Sequence, residues 1–467
     1  MLQISFAPGG GGPLYEQLYR AVVSQIRAGQ LKSGERMPGK RTLADQLSVS
    51  VNTVDTAYQL LAAEGWLQSR PRSGFFVQPY QPPLAPAPAR AEPPKAAGEA
   101  APARWEFDLS TGGVDTGLFP FRTWGRIQKE LLYSQPQLLA HGHAQGDAEL
   151  RGAIARHLRA WRGVDCTPDQ IVVGAGVEYL LSLLARLVDA SITGLENPGY
   201  ARTRRILHNS GIRCVPVPVD AQGLDPAALA ASGARLVYVT PSHQFPTGAV
   251  MPAGRRAALL NWAGEGPGRY IIEDDYDSEF RFDVRPLPSL QGMAGQEGPV
   301  IYLSTFSRSL APSIRIAYMV LPRLLLHRFT VAFGSYASTV SRFEQQTLRV
   351  FMDEGHFARH LARARARYRA RMQALTSALE EAFGPGRLRF YGRHTGLHLL
   401  VQLRAGPGEG EMVARAAAAG VRLTGLSGYY LANRQQCPAN TVVVGYGALQ
   451  DQQVPAAARA LRRAWLE

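Results

Sequence analysis

RTLADQLSVSVNTVDTAYQLLAAEGWLQSRPRSGFFV, residues 41–77, contains two short amphipathic segments, a polar break between them and a basic turn near its end. Apolar residues recur every three or four positions in residues 41–47 and again in residues 51–64, a spacing that predicts two helices. Gly65 ends the second helix, and a basic turn at 70–74 separates two strand-like runs. The stretch therefore predicts helix, tight turn, helix and hairpin in that order.

A further helix precedes this stretch, because Pro13 opens a segment in which Leu14, Leu18, Val22 and Ile26 share one face. Three helices and a basic hairpin form the winged helix-turn-helix pattern, in which one helix enters the major groove of DNA. A three-helix protein-interaction module would have the same helices, but the basic hairpin and the polar start of the last helix favour DNA. We expect seven residues to contact base edges or phosphates of double-stranded DNA: Lys40, Arg41, Ser50, Asn52, Thr53, Arg70 and Arg72.

The composition is that of a basic globular protein with two or three domains in 467 residues. The formal net charge of +14 favours polyanionic partners, although only 4 of the 51 basic residues are lysine and residues 1–80 carry a net charge of only +3. The three cysteines lack the spacing of a zinc site or a disulfide framework, so no metal is expected. No apolar run of about 18 residues and no secretory leader is present, which predicts a cytoplasmic protein without a membrane partner.

Residues 81–104 contain 7 Pro and 9 Ala and no aromatic residue. Such a segment cannot close a hydrophobic core and favours extended polyproline geometry. We therefore predict a linker over 81–104, which separates a DNA-binding domain of residues 1–80 from a large domain of residues 105–467.

In residues 105–467 apolar runs alternate with helical stretches, which predicts a doubly wound α/β domain. Candidate strands are residues 170–173, 235–239, 270–273 and 300–303, and each is followed by a polar or glycine-rich loop. Open α/β sheets bind ligands at the carboxyl ends of parallel strands, where these loops should meet.

The run from Pro13 to Val77 resembles the DNA-binding domain of the GntR family over its whole length. A head of this type, a Pro/Ala linker and this chain length resemble the MocR/GabR subfamily, whose large domain is similar to fold-type I aminotransferases. The resemblance implies an α/β fold with a smaller C-terminal α+β subdomain, a homodimer, promoter DNA and a small-molecule effector as partners, and pyridoxal phosphate as the candidate cofactor.

Five loops resemble the subfamily's site motifs in order: GAGVEYL (174–180), ENPGYAR (196–202), TPSHQFPTG (240–248), IIEDDYDSEF (271–280) and STFSRSLAPSIRIAY (304–318). Gly176 opens a helix and permits close approach of an anion, although Val177 supplies no hydroxyl. Asp274 is expected to hold the ring nitrogen of the cofactor protonated. The resemblance implies these cofactor contacts: Gly176, Tyr200, Asp274, Tyr276, Thr305, Ser307, Arg308 and Arg315. It also implies effector contacts at Arg202, His243 and Gln244.

Arg308 stands where the subfamily has the lysine that forms a Schiff base with pyridoxal phosphate. A Schiff base needs a neutral amine, whereas a guanidinium with a pKa above about 12 stays charged. The only lysines are Lys32, Lys40, Lys95 and Lys129, and none falls in the site motifs. We therefore predict no catalytic residue, and either reversible binding of pyridoxal phosphate or a pocket reassigned to another anion. Val443 likewise replaces an arginine that binds carboxylates in some members.

The sequence favours a DNA-binding transcription regulator that senses a small anionic ligand. One alternative is a pyridoxal-phosphate-dependent aminotransferase with a vestigial head, which Arg308 opposes. Another is a constitutive DNA-binding protein whose large domain only dimerises. The six arginines of residues 359–371 accompany an apolar helical stripe, so a solvated helix face is favoured over an auxiliary DNA contact.

Overall fold

The computed structural model describes Ile4, Phe6 and residues 12–81, 105–282 and 287–467. The chain divides into two compact units, Met1–Ala101 and Pro102–Glu467. The predicted linker of residues 81–104 lies outside the described residues except for Gln81. Within the described part of the chain, no helix combines the length and the apolar character needed to cross a bilayer.

The smaller unit has three helices followed by a hairpin: α1 (Leu14–Arg27), α2 (Lys40–Leu47), α3 (Val51–Ala63), β1 (Leu67–Arg70) and β2 (Gly74–Val77). The apolar faces of α1 and α3 pack together with Phe75 and Val77 of the hairpin in one buried cluster. Ser50 begins α3 as its N-cap, because its hydroxyl accepts the backbone N–H of Thr53. The predicted elements are therefore present, and α2 begins one residue earlier than predicted.

The larger unit contains fourteen strands in its described residues: β3 (Phe107–Asp108), β4 (Ile171–Gly174), β5 (Ile192–Asn197), β6 (Arg213–Asp220), β7 (Gly223–Leu224), β8 (Leu236–Val239), β9 (Tyr270–Asp274), β10 (Val300–Thr305), β11 (Ala317–Val320), β12 (Leu388–Tyr391), β13 (His398–Leu403), β14 (Val421–Arg422), β15 (Thr424–Gly425) and β16 (Thr441–Gly445). Its described α-helices are α4 (Phe121–Ser134), α5 (Ala148–Arg162), α6 (Val177–Leu187), α7 (Ala201–Asn209), α8 (Pro226–Ala231), α9 (Ala253–Gly264), α10 (Leu290–Ala294), α11 (Arg323–Phe333), α12 (Arg342–Asp353), α13 (His356–Phe383), α14 (Glu409–Ala418) and α15 (Val454–Leu466).

The central sheet has eight strands in the order β4-β11-β10-β9-β8-β5-β6-β7. Strands β10, β9, β8, β5 and β6 run parallel, whereas β11 lies antiparallel between β10 and β4. A parallel return needs a long crossover, usually through a helix, and only the short loop 306–316 joins β10 to β11. The sheet is therefore mixed rather than wholly parallel.

Both faces of the central sheet are covered by helices. In β4, Val172 packs into a cluster with Leu180 and Leu184 of α6, whereas Ile171 and Val173 pack into a cluster on the other face. This alternation follows from the two-residue period of a strand and explains why the run is apolar throughout. In this layered arrangement the parallel strands end at one edge of the sheet, and the helices that follow them begin at the same edge.

A second, four-stranded sheet with the order β12-β13-β16-β15 forms the smaller C-terminal subdomain. Its buried side chains pack with those of α13, α14 and α15 in one cluster. The predicted α+β subdomain is confirmed. A short parallel pair, β3 with β14, joins the start of the large unit to this subdomain.

Candidate functional site

A cavity of about 460 Å³ lies in the large unit, where β8, β9 and β10 end and α6 begins. This is the edge of the sheet at which open α/β folds bind ligands. Eight of the eleven predicted cofactor and effector contacts line the cavity: Tyr200, Arg202, Asp274, Tyr276, Thr305, Ser307, Arg308 and Arg315. The sequence motifs thus converge on one site, although they are spread over more than 100 residues.

Asp274 ends β9 and lines the cavity with one oxygen that has no partner. Tyr238, on the adjacent strand β8, donates its hydroxyl proton to Asp274 Oδ2. The other oxygen, Oδ1, is buried and has no hydrogen-bond partner among the described residues. Burial raises the pKa of Asp274 to about 7, while the nearby charge of Arg308 lowers it. The carboxyl group can therefore receive an N–H group from a ligand, as the predicted ring-nitrogen contact requires.

The neighbouring Asp275 belongs to the scaffold rather than to the cavity wall. Its Oδ2 accepts bonds from Arg162 Nε at 2.6 Å, from the Tyr302 hydroxyl at 2.6 Å and from the Ser278 hydroxyl at 2.8 Å. The Arg162 and Asp275 side chains are 3% and 0% exposed, so this is a buried ion pair. Although burial raises the pKa of Asp275, Arg162 and the hydroxyl donors lower it overall. The pair joins α5 to the strand end that carries Asp274.

Three hydroxyl groups line the cavity near Asp274. The Tyr276 hydroxyl donates its proton to the backbone carbonyl of His243 at 2.9 Å and lies 3.1 Å from His243 Nδ1. Thr305 Oγ1 lies 2.9 Å from Ser307 Oγ and accepts the backbone N–H of Ser307 at 3.1 Å. These contacts hold the loop after β10 in place before any ligand arrives.

Arg308 follows β10 and points its guanidinium into the cavity. Its one hydrogen bond within the described residues is a long one, 3.5 Å from Nη1 to the carbonyl of Gly113. It forms no ion pair with any carboxylate in the described ranges. A cation with no carboxylate partner in a cavity attracts an anionic ligand.

Arg315 and Arg202 also line the cavity, and the carboxylate of Glu178 forms an ion pair with both of them. Glu178, in the first turn of α6, lies 2.9 Å from Arg315 Nη2 and 3.0 Å from Arg202 Nη1. Arg202 also lies over the ring of Tyr200. The rings of Tyr200 and Phe245 pack in a T-shaped arrangement with 5.6 Å between their centroids. Both arginines therefore share one carboxylate, and the three side chains together keep a net positive charge of one.

The structure does not bring His243 and Gln244 to the cavity wall. Both are 1% exposed, and Gln244 donates to Glu196 Oε2 and to the carbonyls of Pro198 and Phe245. The TPSHQFPTG turn folds these side chains inward, where Gln244 bonds to residues 196–198 and to its own loop and His243 bonds to Asp277. The expected direct contact with an effector is therefore corrected: both residues support the wall behind Tyr276 and Phe245.

Gly176 stands behind the cavity and fixes the start of α6. Its φ is +98°, and a Cβ there would lie 2.2 Å from Arg315 Nη2. Only glycine therefore allows Arg315 to lie against the helix start. The expected approach of an anion to Gly176 stays a prediction.

A buried group that the sequence did not predict consists of His243, Asp277 and His398. Their potential ligand atoms all lie within 4.8 Å of one another. Asp277 is already bonded to His243 Nδ1 at 3.0 Å and accepts the backbone N–H of Leu397 at 3.3 Å. Burial and the charges of His243 and Arg308 lower the pKa of His398 well below its ordinary value. The group thus forms a buried support under the cavity, held by the contact between His243 and Asp277.

Several residues that line the cavity were not predicted from the sequence. Arg422 and Thr424 reach the cavity from β14 and β15, and no local pattern marks them. Glu178 carried a usable signal, since an acidic residue directly follows the GAGV turn where an anion was expected. Val443, in contrast, is fully buried with Leu400 and Leu426, so this position faces an apolar cluster.

In the head, the predicted DNA contacts lie on α2, α3 and the hairpin. Arg41, Ser50, Asn52, Arg70 and Arg72 are exposed, and Lys40 and Thr53 are half-buried. Some of these groups already have partners, because Lys40 pairs with Asp55 at 2.5 Å and the Ser50 hydroxyl caps α3. The guanidinium of Arg70 lies 4.5 Å from the centroid of the Phe76 ring, a cation–π contact that holds this side chain against the hairpin.

The arginine-rich segment forms part of α13, as its apolar stripe predicts. Arg371 departs from the expected solvated face, because it is buried and pairs with Asp115 at 2.6 Å and Asp451 at 2.7 Å. Arg367 pairs with the same Asp451 at 2.7 Å. These arginines therefore join α13 to neighbouring loops of the large unit.

Comparison with known proteins agrees with both halves of this description. Residues 14–77 match the family of bacterial regulatory proteins called gntR, and residues 106–436 match aminotransferase class I and II. The uncharacterized HTH-type transcriptional regulator YdeL of Bacillus subtilis (strain 168) is 38% identical over 466 residues, 97% of each chain. The probable rhizopine catabolism regulatory protein MocR of Rhizobium meliloti is 37% identical, with 74% of this chain and 73% of that protein covered. A multiple substrate aminotransferase from Thermococcus profundus superposes with a TM-score of 0.67 at 25% identity, covering 77% of this chain and 90% of that one.

Proposed function

The chain belongs to the MocR/GabR subfamily of GntR-type transcription regulators, and we propose that its aminotransferase-like domain receives a small anionic effector that controls DNA binding. As a member, it is a DNA-binding regulator with a GntR-type head.

The observation that carries this proposal is Arg308, a cavity cation without a carboxylate partner in the described residues. A guanidinium stays protonated at all physiological pH values, so it attracts an anion permanently but cannot bond covalently to an aldehyde. Asp274 adds an acceptor on the same cavity, since its Oδ1 is unpaired. The cavity therefore suits a ligand that presents a negative group and an N–H group.

Pyridoxal phosphate is the candidate that the aminotransferase-like fold implies. Its ring fits, because Asp274 Oδ1 would accept the ring N–H. Thr305 and Ser307 would contact its phosphate from the loop after β10. When bound, this cofactor supplies an electron-withdrawing ring and a reactive aldehyde. In this chain we propose that Arg308 holds the molecule only by charge and hydrogen bonds, so binding is reversible.

The aminotransferase alternative requires an amine at position 308, and Arg308 cannot provide one. We accordingly propose that the domain is a receptor rather than an enzyme. A coupled assay that shows amino-group transfer at ordinary turnover rates would contradict this proposal and favour the aminotransferase.

Regulation requires that the ligand bind two arrangements of the protein with different affinity. We propose that the chain forms a homodimer in the cytoplasm and that its two heads read a two-part operator. If the large domain served only for dimerisation, ligands would leave DNA affinity unchanged.

The covalent part of the proposal is tested with pyridoxal phosphate, borohydride and mass analysis of wild type and Arg308→Lys. We expect no covalent pyridoxyl group on residue 308 of the wild type and a trapped group on the variant. A modified Arg308 peptide from the wild type would contradict the proposal.

The regulatory part is tested on DNA fragments that the protein itself selects from fragmented genomic DNA. Fluorescence anisotropy then measures DNA affinity with and without pyridoxal phosphate or piperidine-4-carboxylate, a ring with a protonated nitrogen and a carboxylate at opposite ends. An unchanged DNA affinity at saturating concentrations of both ligands would favour the constitutive DNA-binding protein instead.

A further inference from the structure

The head's α3 is the second helix of a helix-turn-helix, and it begins with an apolar residue that faces solvent. Val51 is the first residue of this helix and is 42% exposed. In helix-turn-helix proteins the second helix enters the major groove, and the residues at its N-terminus contact base edges. Val51 therefore lies where the head reads DNA, although its side chain forms no hydrogen bonds.

Contacts on the other side of α3 fix the direction in which its first residues face. The side chains that pack into the core of the head are fully buried: Val54, Ala57, Tyr58 and Leu61. The Tyr58 hydroxyl donates to the carbonyl of Pro38 at 3.0 Å, and Lys40 of α2 pairs with Asp55 at 2.5 Å. These contacts hold α3 against α2, so the residues at the start of α3 keep one orientation.

Most hydroxyl groups near the start of α3 already have partners within the head. Ser50 Oγ accepts the backbone N–H of Thr53 at 3.1 Å and lies 2.8 Å from the Thr53 hydroxyl. The Thr56 hydroxyl donates to the backbone carbonyl of Asn52 at 2.9 Å. The Asn52 side chain, in contrast, is exposed and forms no hydrogen bond within the described residues. The start of α3 therefore presents the Asn52 amide next to an exposed apolar side chain.

Thymine is the base that presents a methyl group in the major groove of DNA. An apolar side chain gains affinity by removing this methyl group from water. Beside the polar groups of the other bases it would displace water without replacing the hydrogen bonds. We propose that Val51 is a specificity-determining residue that contacts the C5-methyl group of a thymine. The contact requires only that the head binds DNA, and it does not depend on what the cavity binds.

The thymine should lie close to the base pair that Asn52 reads. Adjacent Cα atoms are about 3.8 Å apart, and successive base pairs are separated by about 3.4 Å along the DNA axis. Val51 and Asn52 can therefore contact the same base pair or adjacent ones. Because an asparagine amide matches the N6 and N7 edge of adenine, we expect A·T pairs at this point of the selected DNA.

Deoxyuridine tests the contact, because it pairs with adenine as thymidine does and lacks only the C5-methyl group. DNA that the full-length protein selects is synthesised with one thymine at a time replaced, at equivalent positions of any repeated motif. Fluorescence anisotropy measures the affinity of wild type, Val51→Ala and the control Leu60→Ala for each duplex. Leu60 is 38% exposed and lies on the same helix, roughly 13 Å further along its axis. Alanine favours helix at both positions, so the variants keep the fold.

At one or more thymines we expect deoxyuridine to weaken binding of wild type and Leu60→Ala by roughly fourfold per methyl group removed. For Val51→Ala the same replacement should weaken binding by less than about twofold, because the contact is already lost. A loss of the same size in Val51→Ala, or the absence of any sensitive thymine in wild type, would overturn the assignment. Selection of no common DNA sequence by the protein would also overturn it.

The position of the sensitive thymine gives a second check. It should lie within about two base pairs of the position at which Asn52→Ala relaxes specificity, and a more distant thymine would contradict the placement of Val51. If ligands of the cavity leave DNA affinity unchanged while the thymine contact behaves as expected, the proposed regulation fails and the assignment of Val51 stands.

Discussion

The stability of the large unit in the Asp274→Asn variant, relative to wild type, should be higher at pH 8 than at pH 5. Burial raises the pKa of Asp274 from its ordinary 3.8 to about 7, so the folded protein holds this proton more tightly than the unfolded chain. Stability is therefore lost as pH rises from about 4 to 7 and stays low above that. An asparagine carries no such proton and removes this pH dependence.

The magnitude follows from the two pKa values. A carboxyl group whose pKa is raised from 3.8 to about 7 on folding lowers stability by roughly 2 kcal/mol at pH 5 and by about 4 kcal/mol at pH 8. Asparagine can still accept the Tyr238 hydroxyl, and an unpaired amide N–H would cost about 1–3 kcal/mol at every pH. Between pH 5 and pH 8 the stability of the variant relative to wild type should therefore increase by roughly 2–3 kcal/mol. Burial also raises the pKa of Glu196 to about 7, and the charge of Asp274 contributes to that shift, so relief there acts in the same direction.

Urea unfolding at both pH values, followed by tryptophan fluorescence, measures this difference. Five of the six tryptophans lie in residues 105–467, so the signal reports the large unit. Asp189→Asn is the control, because its side chain is exposed. A stability difference between Asp274→Asn and wild type that is equal at the two pH values, within about 0.5 kcal/mol, would refute the reasoning.

Three further changes test the scaffold and the head. Arg162→Met should destabilise the large unit by about 3–5 kcal/mol, because it leaves Asp275 buried and unpaired, and adding Asp275→Leu should restore part of the loss in urea unfolding. Ser50→Ala removes the cap of α3 and should cost about 1 kcal/mol, measured by hydrogen exchange of the α3 amides; unchanged protection would contradict the capping role. Asn52→Ala should weaken binding to the selected DNA by about 1–3 kcal/mol but spare nonspecific DNA, whereas Arg72→Ala should weaken both and reduce the salt slope by about 1. Equal losses on both DNAs from Asn52→Ala would remove it from base recognition.

Much of the fold was predictable because its signals are local. The head follows from helical spacing, glycine stops and a basic turn, all within residues 13–77, and its elements begin or end within a residue or two of the predicted positions. The four candidate strands of the large domain were apolar runs that are buried on both faces. The antiparallel direction of β11 was not predictable from its own residues, since direction depends on the connection and on both neighbours.

The sequence indicated most of the residues that line the candidate site but not the hydrogen bonds and ion pairs among them. Eight of the expected ligand contacts line one cavity because their motifs follow strand ends of a single sheet. His243 and Gln244 were misplaced because a residue's position in a loop motif does not reveal whether its side chain faces the cavity or the loop interior.

The sequence by itself determined the element order, the two-part organisation and the inability of position 308 to bond an aldehyde, because these depend on covalent side-chain chemistry and on neighbouring residues. Only the tertiary structure decided which charges in the cavity are free. Glu178 and Arg315 are 137 positions apart, and Tyr238 and Asp274 are 36 apart. An ion pair or hydrogen bond forms when packing brings two groups within about 3 Å of each other, and that distance is set by the assembly of the whole sheet rather than by either local segment.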